Sequence, residues 1–338
     1  MSAHEQMPQS QQNAGQDDFE AENVEPEVWR FTHHAMACTW QLFLAGEERN
    51  YAENVSYVAW DELERLEREL SRFIAASDVT QVNCAAPGEA VTVGLATMEC
   101  LLLAREVFEL TNGAFDITVG AVLDVRRNED GTIGESGIDE PDTARGMEGL
   151  HIDANNFQVS WKVAGASLDL GAIGKGYTVD HIARVLEEWS VGRAIIHGGQ
   201  STVMTIGTPQ VADEAGASQE QEGWPLLLRD PLDETRPLGT IYLRDRALSG
   251  SGVRLHGAHI IDPRSGAPVS DKLGAWALSH SAARSDALST AFMVMTPQEV
   301  EEYCRLHPDD GALLLLPGDN EPQLLQFGNC AGLQPPTC

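Results

Sequence analysis

The chain has 338 residues, with 52 acidic against 22 basic side chains and a formal net charge of −30. A length prior of about 100–200 residues per domain allows one large domain or two small ones. The charge repels nucleic acid and anionic lipid, no basic patch offsets it, and no apolar run is long enough to cross a membrane, so none of the three is expected as a partner.

Residues 1–27 contain seven acids, no Lys or Arg and almost no large apolar side chains, which predicts a disordered acidic tail followed by one folded domain over 28–338. The N-terminus lacks a basic segment followed by an apolar run, and for the sequence as given this sets an expectation of a cytoplasmic location. Val28–Gly46 alternates and is rich in β-branched and aromatic residues, as one or two strands would be. From Ser56 to Phe73, Val58, Leu63, Leu66, Leu70 and Phe73 recur at helical spacing, predicting an amphipathic helix. A second helix is expected from about Ala96 to Leu110, stopped by Thr111-Asn112-Gly113. "FDITVGAVLDV" follows, then an acidic loop, then strand signals at "GLHID" and "FQVSWKV" around a turn at Ala154–Asn156.

Gly174–Trp189 reads as a helix with Tyr177, Ile182, Val185 and Leu186 on one face. "GRAIIHGGQSTVMTIG" reads as strand, glycine turn and strand, and Thr208–Gly223 as an acidic surface loop. Two short helices are expected at Ser285–Met295 and Pro297–Leu306, with "GALLLLP" and "PQLLQFG" as closing strands. Hairpins mixed with long crossovers point to an α+β fold and away from a doubly wound parallel sheet. The six cysteines form no C-x-x-C pair and read as incidental thiols, with a Cys330–Cys338 bridge left open.

Chemistry concentrates in a few stretches. "LDLGAIGKGYTVD" (Leu168 to Asp180) has the glycines, the lysine and the helix start of an anion site. It is not a Walker loop, because Asp169 stands at the first Gly position and Gly176 replaces the Ser/Thr. Taken alone it reads first as tight strand–helix packing and second as a phosphate site, with Asp169 either a ligand contact or a partner of Lys175. "SDALSTA" puts Asp286 and Thr290 four residues apart on one helix face, a workable pair of oxygen ligands for Mg²⁺; the alternative is a capping Asp and a core Thr. In "FDITVG" Asp116 reads as a turn former before it reads as a ligand, and in "HIIDPRSG" Asp262 to Gly266 reads as a β-turn after His259. "HGGQ" (His197–Gln200) lets backbone approach a flat ligand or another strand.

In chain order, "MACT" at Met36, "LSRFIAASDVTQVN", "GAFDITVG", "LDLGAIGKGYTVD", "HGGQ", "HIIDPRSG" and "SDALSTA" together resemble the ApbE family of FAD:protein FMN transferases, over Val28 to the C-terminus. The resemblance implies a single large domain of mixed, largely antiparallel sheets with flanking helices. It also implies an enzyme that binds FAD as substrate, uses Mg²⁺, and moves FMN onto a Thr or Ser hydroxyl of an acceptor protein, releasing AMP. The acceptor carries a motif like Ser/Asp-Gly-Ala/Ser-Thr-Ser/Thr. Met36, Phe73, Ala114, Phe115, Asp116, Asp169, Lys175, His259 and Ile260 fall on the FAD-contacting blocks. Asp286, Thr290 and the Ala172 carbonyl fall on the metal site. His259 is the candidate catalytic base, with Asp262 or a metal-bound group as the other choices. The family's Asn-Leu-Gly-Gly-Asp turn is here Ile195 to Gln200, without its acid. Many relatives are exported lipoproteins, and no lipobox is visible here. The other reading is an FAD-binding protein that has lost transferase activity.

Overall fold

The structure, a computed structural model, describes residues 22–25, 28–126, 145–212, 218–220, 222–233, 235–252, 260–318, 321–330 and 333–335. Its described residues begin with an edge strand β1 (Glu22–Glu25), which pairs with β2 although it falls inside the stretch expected to be a disordered tail, and a hairpin of β2 (Val28–Ala35) and β3 (Cys38–Ala45). Met36 and Ala37, the two hairpin residues, have positive φ of 51° and 57°. Such a turn matches the twist of a hairpin, but for residues with a Cβ it costs about 1–2 kcal/mol each. Glu67 holds it by accepting the Met36 N–H at 2.6 Å.

Next come α1 (Arg49–Leu70), α2 (Asp78–Cys84), β4 (Val91–Thr92), α3 (Leu95–Leu110), α4 (Gly120–Arg126), β5 (Leu150–Asp153) and β6 (Gln158–Trp161). The middle of the chain holds α5 (Gly174–Glu188), β7 (Ala194–Gly198), β8 (Thr202–Ile206), β9 (Gln210–Ala212), β10 (Ser218–Glu220), β11 (Trp224–Arg229), β12 (Pro237–Leu243) and β13 (Ala247–Gly252). The chain ends with β14 (Gly274–Ser279), α6 (Ala282–Val294), α7 (Pro297–Leu306), β15 (Gly311–Leu316), β16 (Gln323–Gly328) and β17 (Leu333–Gln334).

Nine strands form one sheet in the order β1-β2-β3-β7-β8-β13-β14-β15-β16, and every pairing is antiparallel. Strand alternation sends Trp40, Leu42, Ile196, Ala275 and Ala277 to one face, where α1, α3, α5 and α6 pack. Val203, Leu248, Leu278 and Leu313 point to the other, against Leu228, Ile241 and Leu243 of the small sheet β11-β12-β17. This is the α+β domain of largely antiparallel sheets and flanking helices that the sequence led us to expect. Among the described residues no helix is long and apolar enough to cross a membrane.

Several expectations shift. The first helix starts at Arg49 and ends at Leu70, its buried stripe running back through Val55 and Ala52. Val58 is 36% exposed, and Phe73, beyond the helix end, is 70% exposed, so neither belongs to the core stripe. Within "LSRFIAASDVTQVN" lies the short α2, capped by Ser77, whose hydroxyl accepts the Thr80 N–H at 3.0 Å. "FDITVG" is a turn with a single bridge between Val119 and Ser167, leading directly into α4. The acidic 208–223 stretch includes the β9–β10 hairpin. The helix expected from Ser285 starts at Ala282 because Ser281 caps it. By contrast α7 has the expected bounds, with Thr296 and Glu299 forming a reciprocal capping box. The acidic loop over 127–144, His259 and Cys338 lie outside the described residues. Cys38, Cys84, Cys100, Cys304 and Cys330 are free thiols.

Candidate functional site

The "LDLGAIGKGYTVD" stretch is clamped at its start: Asn83 accepts the Leu168 N–H at 2.7 Å and donates to the Leu168 carbonyl at 3.0 Å. Asp169 then forms an Asx turn, Oδ1 accepting the Gly171 N–H at 2.7 Å. Its Oδ2 accepts from Arg72 Nη1 at 2.9 Å, so its ion-pair partner is Arg72 and not Lys175. Arg72 also pairs with Asp124 and lies 5.8 Å from the centre of the Phe73 ring. Lys175 Nζ donates to the Gly171 carbonyl at 2.9 Å, and among the described residues no carboxylate pairs with it. The lysine is therefore the uncompensated cation of the stretch.

The third glycine has a packing role. A Cβ on Gly176 would sit 2.2 Å from the Ala282 carbonyl oxygen, so its absence lets α5 and α6 cross in contact. That crossing brings the Gly176 N–H to Asp286 Oδ2 at 3.0 Å. The start of α5, expected to face a phosphate, thus gives one of its donors to a side chain of this protein. Asp180, about one turn further along the same helix, accepts from Ser281 Oγ at 2.7 Å and from the N–H groups of Ala282 at 2.7 Å and Ala283 at 3.0 Å. It caps α6 from a neighbouring helix, and burial raises its carboxyl above the ordinary value while those donors oppose the shift.

Asp286 is 4% exposed, and its other oxygen, Oδ1, accepts the Thr202 hydroxyl at 3.0 Å. Both partners are neutral. A buried carboxylate is ordinarily paired with positive charge; with the Thr290 hydroxyl one helical turn away and the Ala172 carbonyl in the turn that opens α5, the donors are the hard oxygens Mg²⁺ takes. Their chemistry suits the ion, although among the described residues no group of three or more His, Cys, Asp or Glu side chains gathers as a metal cluster. Thr290 Oγ1 lies 3.2 Å from Ser251 Oγ. In this position Asp286 is an interior residue of α6, not its cap.

The Met36 hairpin borders the same region. Thr178 Oγ1 approaches Met36 Sδ at 3.8 Å, and a Cβ on Gly199 would lie 3.0 Å from Cys38 Sγ and 4.0 Å from Lys175 Cδ. Burial pushes the Cys38 thiol up, with the Lys175 charge opposing and Glu67 and Asp286 adding to the rise. "HGGQ" serves this packing: a Cβ on Gly198 would meet Val179 at 2.8 Å.

The remaining residues are less open to a ligand. Ala114, Phe115 and Ile260 are core side chains, Phe115 only 2% exposed, so a ligand could meet them through backbone alone. Asp116 Oδ1 accepts both the N–H and the hydroxyl of Thr118 at 2.7 Å, the turn-forming geometry. Its burial nonetheless pushes the carboxyl up. Asp262 opens its turn and holds Arg264 Nε at 3.0 Å, which engages the second candidate base in an ion pair. The first, His259, lies outside the described residues.

The ApbE family model matches residues 36–314. The chain belongs to the ApbE family. A protein of Klebsiella pneumoniae named FAD:protein FMN transferase is 24% identical over 287 residues, covering 80% of this chain and 79% of that protein. One of the same name from Treponema pallidum is 28% identical over 245 residues, covering 64% and 65%. Among solved structures, the flavin transferase ApbE of Vibrio cholerae superposes with a TM-score of 0.77 at 21% identity, covering 91% of this chain and 99% of that one. The ApbE protein of Thermotoga maritima gives 0.75 at 24%, covering 89% and 97%. These structural likenesses establish the ApbE fold. Sequence reading missed Arg72, Asp180 and Thr202 as parts of the site. Arg72 had a signal, its place beside Phe73 in a matched block; an Asp inside a helix had a weak one; Thr202, a threonine in a strand, had none.

Proposed function

We propose that this protein transfers the FMN half of FAD to a Thr or Ser hydroxyl of an acceptor protein, in a Mg²⁺-dependent reaction that releases AMP. The observation that carries this reading is Asp286: a buried carboxylate whose hydrogen-bond partners among the described residues are all neutral, set against the start of the helix that bears Lys175, which among those residues pairs with no carboxylate. The names of the relatives support the reaction class.

The acceptor oxygen bonds to the flavin-side phosphorus, the bond from that phosphorus to the bridging oxygen breaks, and AMP leaves with that oxygen. The hydroxyl proton passes to a base. Such a step calls mainly for positioning and charge stabilisation. Lys175 holds its ammonium where an anionic diphosphate can replace the Gly171 carbonyl as partner. Asp286, Thr290 and the Ala172 carbonyl would hold Mg²⁺, which when bound supplies positive charge at the diphosphate that so acidic a protein otherwise lacks. Met36 and Phe73 lie at the edge of the same region, Phe73 with an exposed aromatic face for a flat ring. His259 is the base of this proposal, since imidazole titrates near neutrality and sits in a matched block.

The test is to incubate the protein with FAD, Mg²⁺ and an acceptor domain carrying the Ser/Asp-Gly-Ala/Ser-Thr-Ser/Thr-like motif, and to read the acceptor by mass spectrometry. An FMN adduct on the hydroxyl, lost with EDTA or in Asp286→Ala, is expected. FAD binding without any adduct would instead favour a flavin-binding protein without transferase activity.

A further inference from the structure

Thr202 opens β8 and is 2% exposed. Alternation along β8 sends Val203 toward the small sheet and Thr202 toward α6. Its hydroxyl lies 3.0 Å from Asp286 Oδ1 and 3.3 Å from Ser249 Oγ. Ser249 Oγ in turn lies 2.7 Å from Ser285 Oγ, and Ser285 can donate to the Ala282 carbonyl at 3.0 Å.

Counting protons fixes the direction of the first bond. An ionised carboxylate only accepts, so the single hydroxyl proton of Thr202 goes to Asp286. Ser249 then donates either to Thr202 or to Ser285, and neither choice alters the Thr202–Asp286 bond. The Asp286 carboxylate, carried on α6, is thereby pinned by one donor from α5 and one from β8.

We infer that Thr202 is a positioning residue for the metal-binding carboxylate: its hydroxyl fixes the orientation in which Asp286 would meet the cation. The inference rests on the reading of Asp286 and Thr290 as Mg²⁺ ligands. Hydrogen-bond partners of this kind typically change metal affinity by about 10–100-fold.

Mn²⁺ is the probe, with the full chain, FAD present, and free Mn²⁺ read by electron paramagnetic resonance. Thr202→Val keeps the shape and removes the donor; Thr202→Ser keeps the donor. The valine variant is expected to bind Mn²⁺ about ten-fold more weakly, and the serine variant within about two-fold of the unsubstituted protein. Asp286→Asn is expected to lose measurable binding. Unchanged affinity in Thr202→Val, with binding lost in Asp286→Asn, overturns the role of Thr202. Unchanged affinity in Asp286→Asn overturns the metal assignment itself. The Mn²⁺-induced rise in unfolding temperature separates positioning from stability, because it follows occupancy even in a weakened variant. A lower metal-free unfolding temperature with an undiminished rise would make Thr202 merely structural.

Discussion

Asp169 and Asp286, both candidates for the proposed site, are carboxylates held in opposite ways. Asp169 has a cation, Arg72, and a backbone donor. Asp286 is more deeply buried and has a backbone donor and a hydroxyl, with no cation among the described residues. The first arrangement is complete as a structural element, since charge is matched by charge. The second leaves a buried carboxylate without such a match, and that asymmetry separates the residue suited to a metal from the residue suited to shaping a turn.

The comparison breaks first at Asp286. Asp286→Asn keeps the shape and removes the charge, and should slow FMN transfer at least about 100-fold, measured as adduct formed per minute at saturating FAD. Asp169→Asn should slow it far less. Equal losses would show that the two acids are equivalent.

Gly176→Ala comes next. Its Cβ would need space 2.2 Å from the Ala282 oxygen, so α5 must shift from α6 and part Gly176 from Asp286. Overpacking of this kind should destabilise the domain by about 2–3 kcal/mol in urea unfolding, despite the better helix propensity of Ala. No loss of stability would mean that the helix crossing is not tight.

Arg72→Met tests the other carboxylate. Without its partner Asp169 should cease to fix the turn, and FAD should bind roughly ten-fold more weakly, about 1.4 kcal/mol, by flavin fluorescence. Mn²⁺ affinity should stay unchanged. Loss of metal binding in this variant would join two halves of the site that the hydrogen bonds keep apart.

The smallest effect concerns Asp116, another buried carboxylate, whose hydrogen-bond partner among the described residues is Thr118. Its folded pKa is raised by burial, so the folded state holds the proton more tightly than the unfolded one. Its contribution therefore weakens as pH rises from the unfolded value of about 4 through the raised folded value. Asp116→Asn retains an acceptor for Thr118 and should flatten that decline, as read from urea midpoints across the range.

How much of this was legible in the sequence differs element by element. Pro297–Leu306 was, because Thr296, Pro297 and Glu299 fix a helix start locally. The stop at Thr111-Asn112-Gly113 was too, with Asn112 and Gly113 at φ of 49° and 76°. Phe73 was misjudged because it continues the helical spacing after the helix has ended at Leu70. Asp286 and Thr290 were legible as a pair, since four residues make one turn, but whether Asp286 caps a helix or faces a site depends on where α6 begins. Ser281, together with Asp180 of another helix, decides that.

By itself the sequence determined the α+β class, the family resemblance and the chemistry-bearing blocks, because apolar period, turn residues and block order are local properties of a chain. Only the tertiary structure decided who partners whom. Arg72 meets Asp169 across 97 residues, Gly176 meets Asp286 across 110, and Thr202 meets it across 84. No local spacing encodes those contacts. They exist because glycine at 176 lets two helices touch, and because strand alternation turns one threonine hydroxyl toward the carboxylate they enclose.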